Sequence, residues 1–62
     1  MPMTPKEMER LLLKNGFVVD RQKGSHRIFW NEKTKKAVTV PMHAKDLKKG
    51  TEQQILKDAG LK

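Results

Sequence analysis

Glycine and proline punctuate this 62-residue chain at Pro5, Gly16, Gly24, Pro41 and Gly60, and the stretches between them have room only for short helices and strands. Each breaker has neighbours that give it a meaning. Thr4-Pro5-Lys6-Glu7 predicts a helix start: the Thr4 hydroxyl can cap, Pro5 suits the first helical position, and Glu7 can reach back to close a capping box. Met8, Leu11 and Leu12 then recur at helical spacing, and Asn15-Gly16 supplies a left-handed stop. Phe17-Val18-Val19 is aromatic and β-branched, and a Lys23-Gly24 turn separates it from a second extended run, Ser25 to Trp30. After a lysine-rich connection from Asn31 to Lys36, Ala37-Val38-Thr39-Val40 predicts a third short strand that Pro41 terminates. Met42 to Lys49 is a basic connector. Gly50 to Ala59 predicts a second helix with Ile55, Leu56 and Ala59 buried, Gly60 at its end and Leu61 folding back on the last turn.

The expected architecture is α+β, in the order α-β-β-β-α: a three-stranded antiparallel sheet with two helices on one face. Residues 1–62 read as one domain with a small core. The opposite sheet face stays uncovered, and a ligand would lie there. Along the second strand His26, Ile28 and Trp30 share one parity, while Ser25, Arg27 and Phe29 share the other. Turning Phe29 inward sends His26 to the open face.

Fourteen Lys and Arg against seven Asp and Glu leave a formal net charge of +7. Such a field favours a polyanion, nucleic acid first, and an anionic membrane or acidic protein less often. Its bland counterpart is simple solubility. The absence of cysteine excludes disulfides, thiolate zinc sites and thiol nucleophiles. Two histidines far apart in sequence, without clustered carboxylates, give metal chemistry little support, so the expectation is no metal and no cofactor. Paired carboxylates for glycoside chemistry and a buried acid behind a serine–histidine pair are both missing from the pattern. Met1 to Lys6 lacks the basic-then-apolar order of a signal peptide, and no apolar run approaches the ~20 residues of a membrane span. A cytoplasmic protein without a membrane partner is expected.

The most informative short stretch is Lys23-Gly24-Ser25-His26-Arg27. Glycine lets the backbone turn tightly and approach an anion, serine offers a hydroxyl, and the cations supply charge, which together suit a phosphodiester. Read blandly, the same residues are a solvated hairpin turn with two exposed cations. An imidazole exchanges protons near neutrality, so His26 is the candidate general base. His43, the other imidazole, is a loop residue on the bland reading and a phosphate contact or an aid to His26 on the functional one. Lys33, Lys35 and Lys36 surround one hairpin, and Lys45, Lys48 and Lys49 crowd the entrance of the second helix. Around an open sheet face these cations could track a sugar–phosphate backbone, as shape-based readers of double-stranded RNA do.

Several blocks, taken in order, resemble one family. They are the Leu-Leu helix running into Asn15-Gly16-Phe17, then Gly24-Ser25-His26 with Phe29 behind it, then Val38-Thr39-Val40-Pro41 with His43. Asp46 to Thr51 and Ile55 to Leu61 complete the series. The chain resembles the HicA toxins of bacterial and archaeal toxin–antitoxin modules across nearly its whole length. Lys49 stands where many relatives have proline, and Trp30 is bulkier than usual there; both lie outside the Gly-Ser-His motif. The resemblance implies a double-stranded-RNA-binding-domain-like fold and a ribosome-independent mRNA interferase, an endoribonuclease whose catalytic histidine matches His26. RNA contacts would then come from Lys23, Gly24, Ser25, Arg27, Lys36, His43 and Lys45. It also implies a HicB antitoxin partner, with DNA met only through the antitoxin complex. The competing expectation is a non-catalytic double-stranded-RNA-binding module of the same fold.

Overall fold

The computed structural model describes residues 3–61. Met1, Pro2 and Lys62, and with them the ends of the expected 1–62 domain and of the Met1-to-Lys6 start, lie outside the described residues. The order is α1 (Pro5–Lys14), β1 (Val18–Lys23), β2 (His26–Asn31), β3 (Lys36–Pro41) and α2 (Lys49–Asp58), the expected α-β-β-β-α succession. Both helix stops and the first helix start follow the chemistry of their sequences. At the N-terminus of α1 the Glu7 amide donates to the Thr4 hydroxyl at 3.1 Å, and the Thr4 amide donates to the Glu7 carboxylate at 2.9 Å. That reciprocal pair satisfies two amides that the first turn otherwise leaves unpaired. At its C-terminus Gly16 has φ +92°, Gly16 N–H donates to the Leu13 carbonyl, and Phe17 N–H donates to that of Leu12. Gly60, at φ +75°, repeats this arrangement after α2, with Leu61 N–H donating to the Leu56 carbonyl. The start of α2 differs: the helix begins at Lys49, and Lys48 caps it with no side-chain hydrogen bond.

The sheet has the order β1-β2-β3, antiparallel throughout. Met8 and Leu12 from α1, Phe17, Phe29 from β2, Val38 and Val40 from β3, Leu47, and Ile55 and Ala59 from α2 form one buried cluster. Both helices therefore cover the Phe29 face of the sheet. Phe29 is fully buried, and cross-strand partners share its face: Val19 and Val38 beside it, Gln22 and Val40 beside Arg27. The opposite face carries the rows Val18–Trp30–Ala37, Arg21–Ile28–Thr39 and Lys23–His26–Pro41. Among the described residues no helix is long and apolar enough to cross a membrane.

Two features lay beyond the sequence pattern. The β1–β2 register shifts between Val19 and Arg21, leaving Asp20 as the extra residue of a bulge. Strict alternation would put Val19, Arg21 and Lys23 on one face; the bulge leaves Val19 on the Phe29 face, still exposed, and turns Arg21 and Lys23 to the open side. Asn31, read as part of a polar connector, is a buried hub instead. Its amide nitrogen donates to the Asn15 carbonyl at 3.1 Å, and its side-chain oxygen accepts from the amides of Lys33 and Thr34. It thus ties the end of α1 to the β2–β3 turn.

Candidate active site

His26 is the first residue of β2, immediately after a two-residue hairpin loop of Gly24 and Ser25. Gly24 has φ +61° and Ser25 does not share the positive sign, the pattern of a type II′ turn, which takes glycine at its first central position. Nothing lies within 4 Å of where a Gly24 side chain would begin, so conformation is what requires glycine, and the turn's outer side is open. Gln22 steadies the turn by donating from its side-chain amide to the Gly24 carbonyl at 3.1 Å. His26 is exposed on the uncovered face, with Lys23 opposite it on β1 and Pro41 opposite it on β3.

The other histidine of the chain comes to the same place. The ring centroids of His26 and His43 lie 5.9 Å apart, at an interplanar angle of 62°. The antiparallel ladder causes this approach: His26 pairs with Pro41, and the Met42 amide donates to the Ser25 carbonyl at 2.8 Å. His43 follows directly. Beyond it a shallow groove is lined by His43, Asp46, Lys48 and Thr51, at the mouth of α2.

The expected RNA-contacting residues are not all gathered around His26. Lys23, Gly24, Ser25 and His43 are, and Lys45 is exposed two residues beyond His43 on the same loop. Arg27 is not: it points to the helix-covered side, where its guanidinium pairs with Glu9 of α1 and donates twice to the Gln22 side-chain oxygen, at 3.1 and 3.0 Å. The reading of Arg27 as a second exposed cation beside His26 is corrected by that pairing; only about a quarter of its side chain is accessible (28%). Lys36 stands at the opposite end of β3 from Pro41, about 16 Å away at the usual rise per strand residue. Its side chain lies over Gly60, at the C-terminal end of α2 where the helix dipole favours a cation. Arg21, which its position in the sequence did not single out, joins the open face one row from His26 through the bulge. Its ion pair with Asp20 spans 4.0 Å between two well-exposed side chains and leaves its charge available to a ligand.

Among the described residues no three His, Cys, Asp or Glu side chains converge as a metal site would require. The arrangement is an imidazole pair at the end of the central strand on the open face, with lysine opposite and a glycine turn beside it. A family model for the HicA toxin of bacterial toxin–antitoxin systems matches residues 5–61, nearly the whole chain. No curated protein matches the chain.

Proposed function

The chain belongs to the HicA toxin family of bacterial toxin–antitoxin systems, and from that premise we propose that it is a ribosome-independent mRNA interferase acting through His26. The observation that carries this reading is the exposed His26 at the Gly24-Ser25 turn, on an uncovered sheet face, in a chain of net charge +7. RNA brings its own nucleophile, the 2′-hydroxyl. Cleavage then needs a base for that proton and positive charge around the phosphorane. His26 acts as the base, and the Lys23 ammonium and Ser25 hydroxyl stabilise the charge that develops on phosphorus-bound oxygens. Gly24, without a side chain, lets the backbone come close to the phosphate. Lys45 and Arg21 hold phosphates to either side, and Lys36 meets the strand only where the RNA extends past the far end of the sheet. No metal or other cofactor enters these steps.

A HicB antitoxin, acidic where this protein is basic, would cover the same face and so both block substrate and neutralise the field. Residues 1–62 act as a single toxin domain in the cytoplasm, where mRNA is met. Incubating the purified protein with RNA in the presence of a chelator tests the reading. Expected are products ending in 2′,3′-cyclic phosphate, resistance of DNA and 2′-deoxy-substituted RNA, loss of cleavage in His26→Ala with the fold retained, and silencing by stoichiometric antitoxin. Retention of RNA without cleavage would instead establish the binding-module alternative. Cleavage by His26→Ala at the wild-type rate, or its loss in chelator, would overturn the mechanism.

A further inference from the structure

We propose that His43 is the second proton-transfer group of this site, the acid that protonates the leaving 5′-oxygen while His26 takes the proton of the 2′-hydroxyl. The inference rests on the reading of the chain as an RNA-cleaving enzyme and names a residue which that reading leaves without a chemical role. The chain contains two histidines, 17 residues apart in sequence, and the fold brings both to one spot with ring centroids 5.9 Å apart. Both are exposed, so both can meet a substrate.

The loop that carries His43 is fixed at each end. On one side Pro41 pairs with His26, Met42 donates to Ser25, and the Ala44 amide closes a turn on the Pro41 carbonyl at 3.4 Å. On the other, Leu47 is buried and its amide donates to the Met3 carbonyl at 2.7 Å. A solvated loop residue needs no such anchoring. Because the residue before His43 is hydrogen-bonded to the residue before His26, the backbone positions from which the two rings project stay side by side whatever the rest of the loop does. That is the preorganisation a two-group reaction requires.

In-line displacement at phosphorus puts the entering and leaving oxygens on opposite sides. One imidazole on one side serves one of them; a second ring set edge-on to the first and nearly 6 Å away can flank the other. The step balances. The 2′-oxygen bonds to phosphorus as His26 accepts its proton, the bond from phosphorus to the 5′-oxygen breaks, and that oxygen leaves as a hydroxyl with the proton of His43. The products are a 2′,3′-cyclic phosphate and a 5′-hydroxyl, and solvent returns each histidine to its starting state. Lys23 faces His26 across the ladder, and Asp46 and Lys48 share the groove of His43. A base that must be deprotonated and an acid that must be protonated together give a bell-shaped pH profile of activity, with His43 as acid responsible for its alkaline limb.

An RNA in which sulfur replaces the leaving 5′-oxygen isolates the acid, because a thiol is a far stronger acid than an alcohol and departs without help. His43→Ala should slow cleavage of ordinary RNA by roughly 10²–10⁴-fold, cut the sulfur-substituted RNA at close to the wild-type rate, and lose the alkaline limb of the profile. His26→Ala should stay impaired on both substrates. His43→Asn, which keeps a polar side chain of similar reach but cannot transfer a proton, should behave as His43→Ala does. Equal impairment on both RNAs, or unimpaired cleavage of ordinary RNA by either His43 variant, overturns the inference alone. If the wild-type protein cuts neither RNA, the endoribonuclease reading falls and takes this inference with it.

Discussion

Arg27 shows how one side chain can be read from its neighbours in sequence and still belong to another part of the molecule. Adjacent to His26, it sits on the opposite face, because successive strand residues alternate sides. Its guanidinium bridges β2 to Glu9 of α1 and to Gln22 of β1, so it fastens a helix to the sheet beneath the Gly24-Ser25 turn. The side chains of this pair are 28% and 18% exposed, intermediate between a surface pair worth little and a buried one whose breakage is severe. Arg27→Ala should therefore destabilise the fold by about 1–2 kcal/mol, and adding Glu9→Ala should cost less than the sum of the two single changes. Urea denaturation of both single variants and the double variant measures this. Strict additivity would show that the two residues do not act together. Parity placed Arg27 on the Phe29 side, yet nothing local could announce Glu9, eighteen residues earlier, as its partner. The sequence left His43 open between a loop residue and an aid to His26 for the same reason: contacts set by ladder register do not show in neighbouring residues.

Among the elements, α1 is legible in the sequence almost to the residue, since its start and stop are made by side chains and backbone groups within four positions of each other. Thr4, Pro5, Glu7 and Gly16 do there what their types predict. In β1 the strand was legible and its register was not. Its bulge at Asp20 depends on how β1 registers against β2, since Val18 and Val19 both stay exposed, and it is invisible to an alternating pattern. The capping box also carries a pH signature. Hydrogen bonds from the Thr4 backbone amide first, then from the Thr4 side chain, with a smaller contribution from Arg10, hold the Glu7 carboxyl below its ordinary range. A carboxylate depressed in the folded state stabilises above its unfolded pKa, and that stabilisation is lost as pH falls through the folded value. Wild type should thus outlast Glu7→Gln in thermal denaturation at neutral pH, with the difference closing as the solution is acidified through and below the normal carboxylate range. Thr4→Ala should cost about 1 kcal/mol at neutral pH, or roughly 4–8 °C in a domain of this size. A gap between wild type and Glu7→Gln that stays constant down to strongly acidic pH would contradict the assignment.

For the whole molecule, the decisive quantity is where its excess of seven positive charges can meet phosphates at once. The principal extents of 29, 26 and 16 Å make a flat body, and two groups of its cations lie in separate regions. Arg21, Lys23 and Lys45 surround the histidines on and beside the open face, while Lys36 sits over the C-terminal end of α2. A single strand bound across the histidine pair should engage the first group and not the second. Each phosphate neutralised on a single strand contributes about 0.7 to the slope of log K against log salt. Lys23→Ala should consequently weaken binding of a cleavage-resistant 2′-deoxy-substituted RNA and lower that slope by about one such increment. Lys36→Ala should leave the slope of a short oligonucleotide unchanged and lower it only when the RNA is long enough to pass the far end of the sheet. Titrations over a range of salt concentrations, with short and long oligonucleotides, read both effects. A slope insensitive to Lys23, or one that drops for Lys36 with the short strand, would mean that the RNA path does not cross the face carrying His26 and His43.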